Sequence, residues 1–149
     1  MSIVTDETLA QSDLINWTIF SEILMMDEDE EGFALSLVET FVQQAYETFL
    51  EIESMLFTNV KSEEGLKQLS AKGHYLKGSA AALGLQKVQN ECERIQNYGK
   101  MENFDNYSLA SNAVSVDDWY KCCEQAYNEV KIWFDESKIL LSSYFNHQL

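Results

Sequence analysis

Proline is absent from the 149 residues, and glycine is scarce at six. Without proline nothing breaks a helix from within, which favours an all-α chain. No run approaches the ~20 consecutive apolar residues of a membrane span. The first residues, M-S-I-V-T-D-E, carry neither a basic start nor an apolar stretch, so no secretory signal is expected. Cysteine is limited to Cys92, Cys122 and Cys123, an odd number with two adjacent. That argues against a disulfide framework and suits a reducing cytosolic or nuclear compartment. These cysteines also lack C-x-x-C spacing, and two distant histidines do not complete a zinc site. Basic side chains are few: 10 Lys and Arg face 25 Asp and Glu, a formal net charge of −15. Such a surface repels nucleic acid and anionic membranes. It suits solubility and encounters with basic patches on proteins equally well.

What is present is apolar periodicity. Hydrophobic residues make up 46% of the chain, enough for one domain spanning residues 1–149 with a substantial core. Residues 1–12 are polar and expected to be loosely ordered. Residues 16–26 form a short helix with Asn16 as N-cap. The acidic run 27–31 suits the positive N-terminus of the next helix. That helix reaches residues 55–57, with Phe33, Leu37, Phe41, Ala45, Phe49, Ile52 and Leu56 at helical spacing. Ser62 caps a third helix whose seam is Leu66, Leu69, Gly73, Leu76, Ala80 and Leu83, and Gly84 ends it. A fourth places Leu85, Val88, Cys92 and Ile95 inward and stops near Gly99. Residues 102–115 are loop-like. Ser115 or Asp117 opens a long last helix with Trp119, Cys123, Ala126, Val130, Trp133, Ser137, Leu141 and Tyr144 as its seam. The expected fold is all-α: an antiparallel four-helix bundle, up-down-up-down, with a short additional N-terminal helix.

The stretch from Gly73 to Gly84, G-H-Y-L-K-G-S-A-A-A-L-G, concentrates three of the six glycines beside one of the two histidines. A helix interior tolerates glycine only at a cost of ~1 kcal/mol relative to alanine. His74 lies one step off the seam, on a stripe of Ser70, His74, Lys77, Gly78 and Ala81 that is small or polar. It is therefore expected to be partly exposed. An exposed imidazole, with a reference pKa of ~6.5, is mostly neutral at pH 7 and offers a lone pair. Lys77 can hold the oxygens of an incoming phosphoryl group, and Gly78 leaves room for it. Phosphoryl transfer needs mostly such positioning and charge neutralisation. The plainer alternative is an idle surface histidine beside glycines that serve helix packing. His147 has no comparable surroundings. No G-x-x-x-x-G-K-[ST] loop is present, so an autonomous ATP-using kinase is not expected.

H-Y-L-K-G-S-A-A-A-L-G resembles the motif of the histidine-phosphotransfer family. The likeness extends to I-N-W-T-I-F-S-E-I, the acidic run after Met26, and C-E-R-I-Q-N-Y-G-K. Together these resemble the fungal phosphorelay intermediates of osmosensing pathways, closely over residues 14–101 and loosely in the last helix. The resemblance implies that His74 receives a phosphoryl group from an aspartyl phosphate on one receiver domain and donates it to the aspartate of another. It places the family's lysine at Lys77 and its unhindered glycine at Gly78. It also puts a glutamine near the histidine at Gln96 and a basic residue at Lys100. Ala80 departs from the second serine of many members, while Ser79 remains. The implied partners are the receiver domain of a hybrid sensor histidine kinase and the receiver domains of response regulators. A monomer of the cytoplasm and nucleus is implied as well. No cofactor is expected in this chain: the receiver would bring the magnesium, since no carboxylate cluster stands beside His74.

Receivers in that family dock through the first helix. Here Trp17, Phe20 and Leu24 form one apolar stripe, and Ile19, Ile23 and Met26 another. Together they are wider than the roughly 100° that a surface helix needs for its core. The surplus stripe is expected to bind a partner. By resemblance, Phe33, Leu37, Tyr75 and Ser79 extend it towards His74. The competing function is a non-catalytic acidic helical adaptor in which His74 is incidental.

Overall fold

The computed structural model describes residues 3–149, and among them every regular element is helical. Met1 and Ser2, the start of the expected loose segment, lie outside the described residues. The helices are α1 (Asp6–Gln11), α2 (Trp17–Met25), α3 (Phe33–Leu56), α4 (Glu63–Leu83), α5 (Gln86–Gly99), α6 (Ser108–Ser111) and α7 (Val116–Phe145). One 3₁₀ turn, Met26–Glu28, joins α2 to α3.

Local chemistry sets these boundaries. The Asn16 side chain accepts from the Ile19 amide at 3.4 Å, and Ser62 Oγ accepts from the Gly65 amide at 3.0 Å. Gly32, at the N-cap of α3, has no side chain to offer. Asp27 supplies the missing acceptor from seven residues back, taking the Ala34 amide at 2.7 Å. Ser115 and Asp118 close a capping box on α7. Gly84 ends α4 in the left-handed region at φ 76°. Its carbonyl accepts from the Asn16 amide at 2.7 Å, which ties the start of α2 to the end of α4.

The four long helices α3, α4, α5 and α7 form the antiparallel bundle that the periodicity predicts, and α2 lies across α3 and α4. The core is built from Val38, Phe41, Phe49 and Ile52 of α3, Leu66, Leu69 and Leu76 of α4, Val88, Cys92 and Ile95 of α5, and Cys123, Val130, Phe134 and Leu141 of α7. Each such aliphatic or aromatic side chain stabilises by roughly 1.5–3 kcal/mol when fully buried. The Tyr127 hydroxyl pins α7 to α3 by donating to Glu53 at 2.5 Å. His147, at the end of the chain, approaches Glu39 of α3 at 3.5 Å.

Three expectations need correction. The N-terminal segment is not loose over its described residues: Thr5 and Thr8 form a capping box, and Leu9 is fully buried. Tyr144 adds a tether by donating to Asp6 at 2.7 Å. Residues 102–115 are not all loop, because α6 inserts one turn and buries Ala110. The seam on α7 is too narrow. Tyr120, Cys122, Tyr127 and Phe134 are buried as well, while Trp133 and Tyr144 are only half-buried. A helix packed against both α5 and α3 needs a wider apolar face than one seam provides.

The cap of α7 is pH-sensitive. The Val114 amide, foremost, and the Ser115 amide donate to the Asp118 carboxylate at 3.0 and 3.2 Å and hold it below the usual carboxylate range. A depressed folded pKa gives stability that is present above the unfolded value of ~3.9 and lost as pH falls through the folded one. Asp118→Asn should lower Tm at pH 7 and flatten its fall in acid. Circular-dichroism melts from pH 7 to 3 check this, and curves parallel to those of the parent would refute the carboxylate's role.

Candidate functional site

Backbone contact between α4 and α5 creates the site. A Cβ on Gly73 would lie 2.8 Å from the Gln96 nitrogen and 2.9 Å from the Cys92 oxygen. On the facing helix, a Cβ on Gly99 would lie 2.6 Å from the Leu66 oxygen and 2.7 Å from the Ser70 nitrogen. Each helix thus receives the other's main chain where it has no side chain. Ser70 donates to the Gln96 carbonyl at 2.7 Å across the seam. The open stripe expected through Ser70 is therefore narrower. Ser70 is buried because α5 comes close enough to cover that edge of α4.

His74 is exposed, one residue past Gly73. Its imidazole lines an open cleft of about 420 Å³ whose other walls are Lys67, Ser70, Ala71, Gln96 and Lys100. Gln96 and Lys100, placed near the histidine by resemblance, are thus brought to it. Lys77 is not in this cleft; it is half-buried on α4 one turn beyond His74. Gly78 is exposed, and a Cβ there would meet nothing within 4 Å. Lys67 was not among the expected site residues. Its signal was spacing: seven residues before His74 puts it two turns away on the same face.

Gln96 and Lys100 are held by the end of α5. The Gln96 Oε1 atom is buried without a hydrogen-bond partner among the described residues. Lys100 follows the last turn, and Met101 in the left-handed region (φ 60°) turns the chain away. Arg94 braces that turn. It donates to the Tyr98 hydroxyl at 3.0 Å and to Glu91 at 2.7 Å, and its guanidinium lies 4.5 Å from the centre of the Tyr107 ring. Burial pushes the Tyr98 hydroxyl above its ordinary pKa, so it stays a donor and reaches Asp105 at 2.8 Å. Burial likewise pushes the Cys92 and Cys123 thiols up. They remain neutral core groups.

The opposite flank of α4 carries an apolar groove of about 470 Å³. Ile23, Met26, Phe33, Leu37 and Ser79, all named as docking residues, line it. Phe33 and Leu37 are only half-buried because the buried stripe of α3 runs through Ala34, Val38 and Phe41 instead. The expected surplus stripe on α2 is smaller than its sequence implies. Ile23 is only 7% exposed and forms the groove floor. Ile19 is half-buried, its Cβ 3.3 Å from where a Gly84 side chain would begin. Both stripes are partly consumed because α2 rests on two helices at once. Its open end is Met26 with Met25, which the stripe omitted and which is 65% exposed. Tyr75 is exposed but outside the groove.

Residues 36–131 match the family described as Hpt domain. The chain is 58% identical over 103 residues to the phosphorelay intermediate protein YPD1 of Candida albicans, covering 69% of this chain but only 53% of that protein. It is 36% identical to YPD1 of Saccharomyces cerevisiae, covering 93% of this chain and 97% of that one. The solved complex of the Saccharomyces cerevisiae histidine phosphotransfer signalling protein Ypd1 with the receiver domain of its downstream response regulator Ssk1 superimposes with a TM-score of 0.79.

The two inner glycines should respond oppositely to alanine. Gly73→Ala pushes a methyl group into the α5 backbone and should destabilise by about 1–3 kcal/mol, as overpacking does. Gly78→Ala meets open space and should stabilise by up to ~1 kcal/mol through helix propensity. Urea unfolding of both variants checks the pair, and equal shifts would contradict the contact geometry.

Proposed function

Because the chain belongs to the Hpt domain family, we propose that it is a phosphorelay intermediate that carries a phosphoryl group on His74. The donor is the aspartyl phosphate on the receiver domain of a hybrid sensor histidine kinase. The acceptors are aspartates on response-regulator receiver domains. The chain is a carrier and not an ATP-using kinase. One observation carries the reading: the exposed imidazole of His74 stands between a cation-lined cleft and the open space over Gly78.

Transfer requires little of this chain beyond placement. The receiver docks on the apolar groove formed by α2, α3 and α4, which flanks the helix bearing His74. The imidazole nitrogen distal to the backbone attacks phosphorus with its lone pair. An N–P bond forms as the P–O bond to the aspartyl carboxylate breaks, and the carboxylate leaves with the bonding electrons. The proton on the other ring nitrogen stays, so no base is required. Lys77 and Lys100 steady the transferring oxygens, and Gly78 admits the partner's surface. The return step to a second receiver is the reverse. The polar side chains that share the cleft with His74 are two ammoniums, an amide and the Ser70 hydroxyl, with no carboxylate, a donor set unsuited to a divalent cation. Magnesium therefore belongs with the receiver's carboxylates.

Incubation with a phosphorylated receiver should leave acid-labile phosphate on the parent and none on His74→Gln. A phosphate-free parent, or full labelling of His74→Gln, would instead favour a non-catalytic adaptor. Gly78→Gln should slow transfer without unfolding the protein, and unchanged kinetics would remove access as the reason for that glycine. Met26→Glu should weaken receiver binding about tenfold, or ~1.4 kcal/mol, by calorimetric titration. Undiminished affinity would exclude the groove as the dock. Ile23→Glu is unsuitable for that test, since a charge in the groove floor would also destabilise the bundle.

A further inference from the structure

Positive charge is the scarce resource of this chain, with 10 cations against 25 acids. Most of those cations are engaged internally. Lys72 pairs with Glu51, Lys131 with Glu53, and Arg94 with Glu91 and Asp105. Lys61 donates to the Thr58 carbonyl and Lys138 to the Tyr46 hydroxyl, while Lys87 lies over the Trp133 ring. Four remain without an ion pair, hydrogen bond or aromatic ring among the described residues: Lys67, Lys77, Lys100 and Lys121. Two of those four, Lys67 and Lys100, line the cleft with His74, and Lys77 lies one turn beyond it on α4.

The placement of Lys67 is specific. It shares the His74 cleft with Lys100 and stands on the α4 face that His74 occupies two turns later. The Gly99 contact sets the start of that face beside the end of α5, so Lys67 and Lys100 flank the same end of the cleft. Lys77 lies beyond His74 in the other direction along α4. Glu63 and Glu64 sit one turn before Lys67, the spacing that usually captures a helix lysine. Lys67 nevertheless makes an ion pair with neither.

We propose that Lys67 is a further positioning residue for phosphoryl transfer, drawing the acidic, phosphate-bearing pocket of the receiver into the cleft beside His74. The proposal rests on the relay reading above. In a chain of net charge −15, long-range forces oppose the approach of an acidic pocket. An unpaired cation beside the target offsets that repulsion where the two surfaces meet. The electrostatic effect acts on encounter and alignment, not on the bond-making step.

The test is the transfer rate from a phosphorylated receiver to the parent, Lys67→Glu, Lys67→Arg and Lys121→Glu. It is measured across receiver concentrations at low and high salt. For Lys67→Glu at low ionic strength, the receiver concentration for half-maximal rate should rise about tenfold, with the saturating rate within about twofold of the parent. Lys67→Arg should restore the parent value. The deficit should close near 1 M salt, where the Debye length falls to ~3 Å. Lys121→Glu carries the same change of net charge away from the cleft and should show no comparable effect. Equal losses in both charge reversals, a salt-insensitive loss, or a parent-like Lys67→Glu would each overturn the assignment. A parent that takes no phosphate would defeat the relay reading and this inference with it.

Discussion

Everything at the site depends on two helices touching backbone to backbone. Gly73 faces the main chain of α5 and Gly99 the main chain of α4 at distances that no Cβ could share, and the Ser70 hydroxyl bridges to the Gln96 carbonyl beside them. Helices separated by ordinary side chains sit 8–10 Å apart. Closer approach moves the α5 residues that follow its core stripe up to the exposed edge of α4. That is how Gln96 and Lys100 come to line a cleft with His74. An added methyl at Gly73 would act on the bundle and on the reach of Lys100 at once. The glycines that look costly to helix propensity are therefore the reason the site is assembled.

Helix α4 divides two surfaces of opposite character. One flank is the cleft with its lysines and an unpaired amide oxygen. The other is the apolar groove shared with α2 and α3. His74 and Gly78 lie on the open face that connects them. Such an arrangement separates affinity from chemistry. Apolar contact holds a partner without specifying charge, and the cations act only where charge is transferred. The acidic surface elsewhere gives little attraction to an acidic partner in any other orientation.

Most of the fold was legible because the helices obey local rules. Asn16, Ser62 and Ser115 cap where their side-chain oxygens suggest, and Gly84 ends α4 in the left-handed conformation that glycine adopts freely. The failures share one cause: they depend on a neighbour that one helix's periodicity does not contain. Residues 1–12 read as a polar, loose segment, yet the bundle supplies a buried place for Leu9. Ser70 looked open until α5 covered it. Ile23 looked surplus until α2 was laid over two helices. At the site, exposure of His74 followed from the seam, and space at Gly78 from its offset. The positions of Gln96 and Lys100 came from resemblance and not from spacing. Lys67 was missed because an exposed lysine on a polar stripe resembles any solubilising charge. Only a tally of which lysines stay unpaired separates it from the others.

The far end of the cleft has its own support, and it is made of groups that the transfer step does not use. Tyr98 is fully buried between Gly99 and the loop that follows, and its hydroxyl passes a hydrogen bond from Arg94 to Asp105. The guanidinium lies against the Tyr107 ring, so a loop with no secondary structure of its own over residues 102–107 is fixed at both ends. A charged network of this kind is a weak source of net stability, because desolvation offsets much of its attraction. It is a strong source of geometry, because each partner left alone would be a poorly solvated charge or hydroxyl. Its position one turn from Lys100 gives that geometry a use. It holds the end of α5 where the glycine contact has brought it, and so keeps one cation of the cleft on a rigid support rather than on a mobile loop.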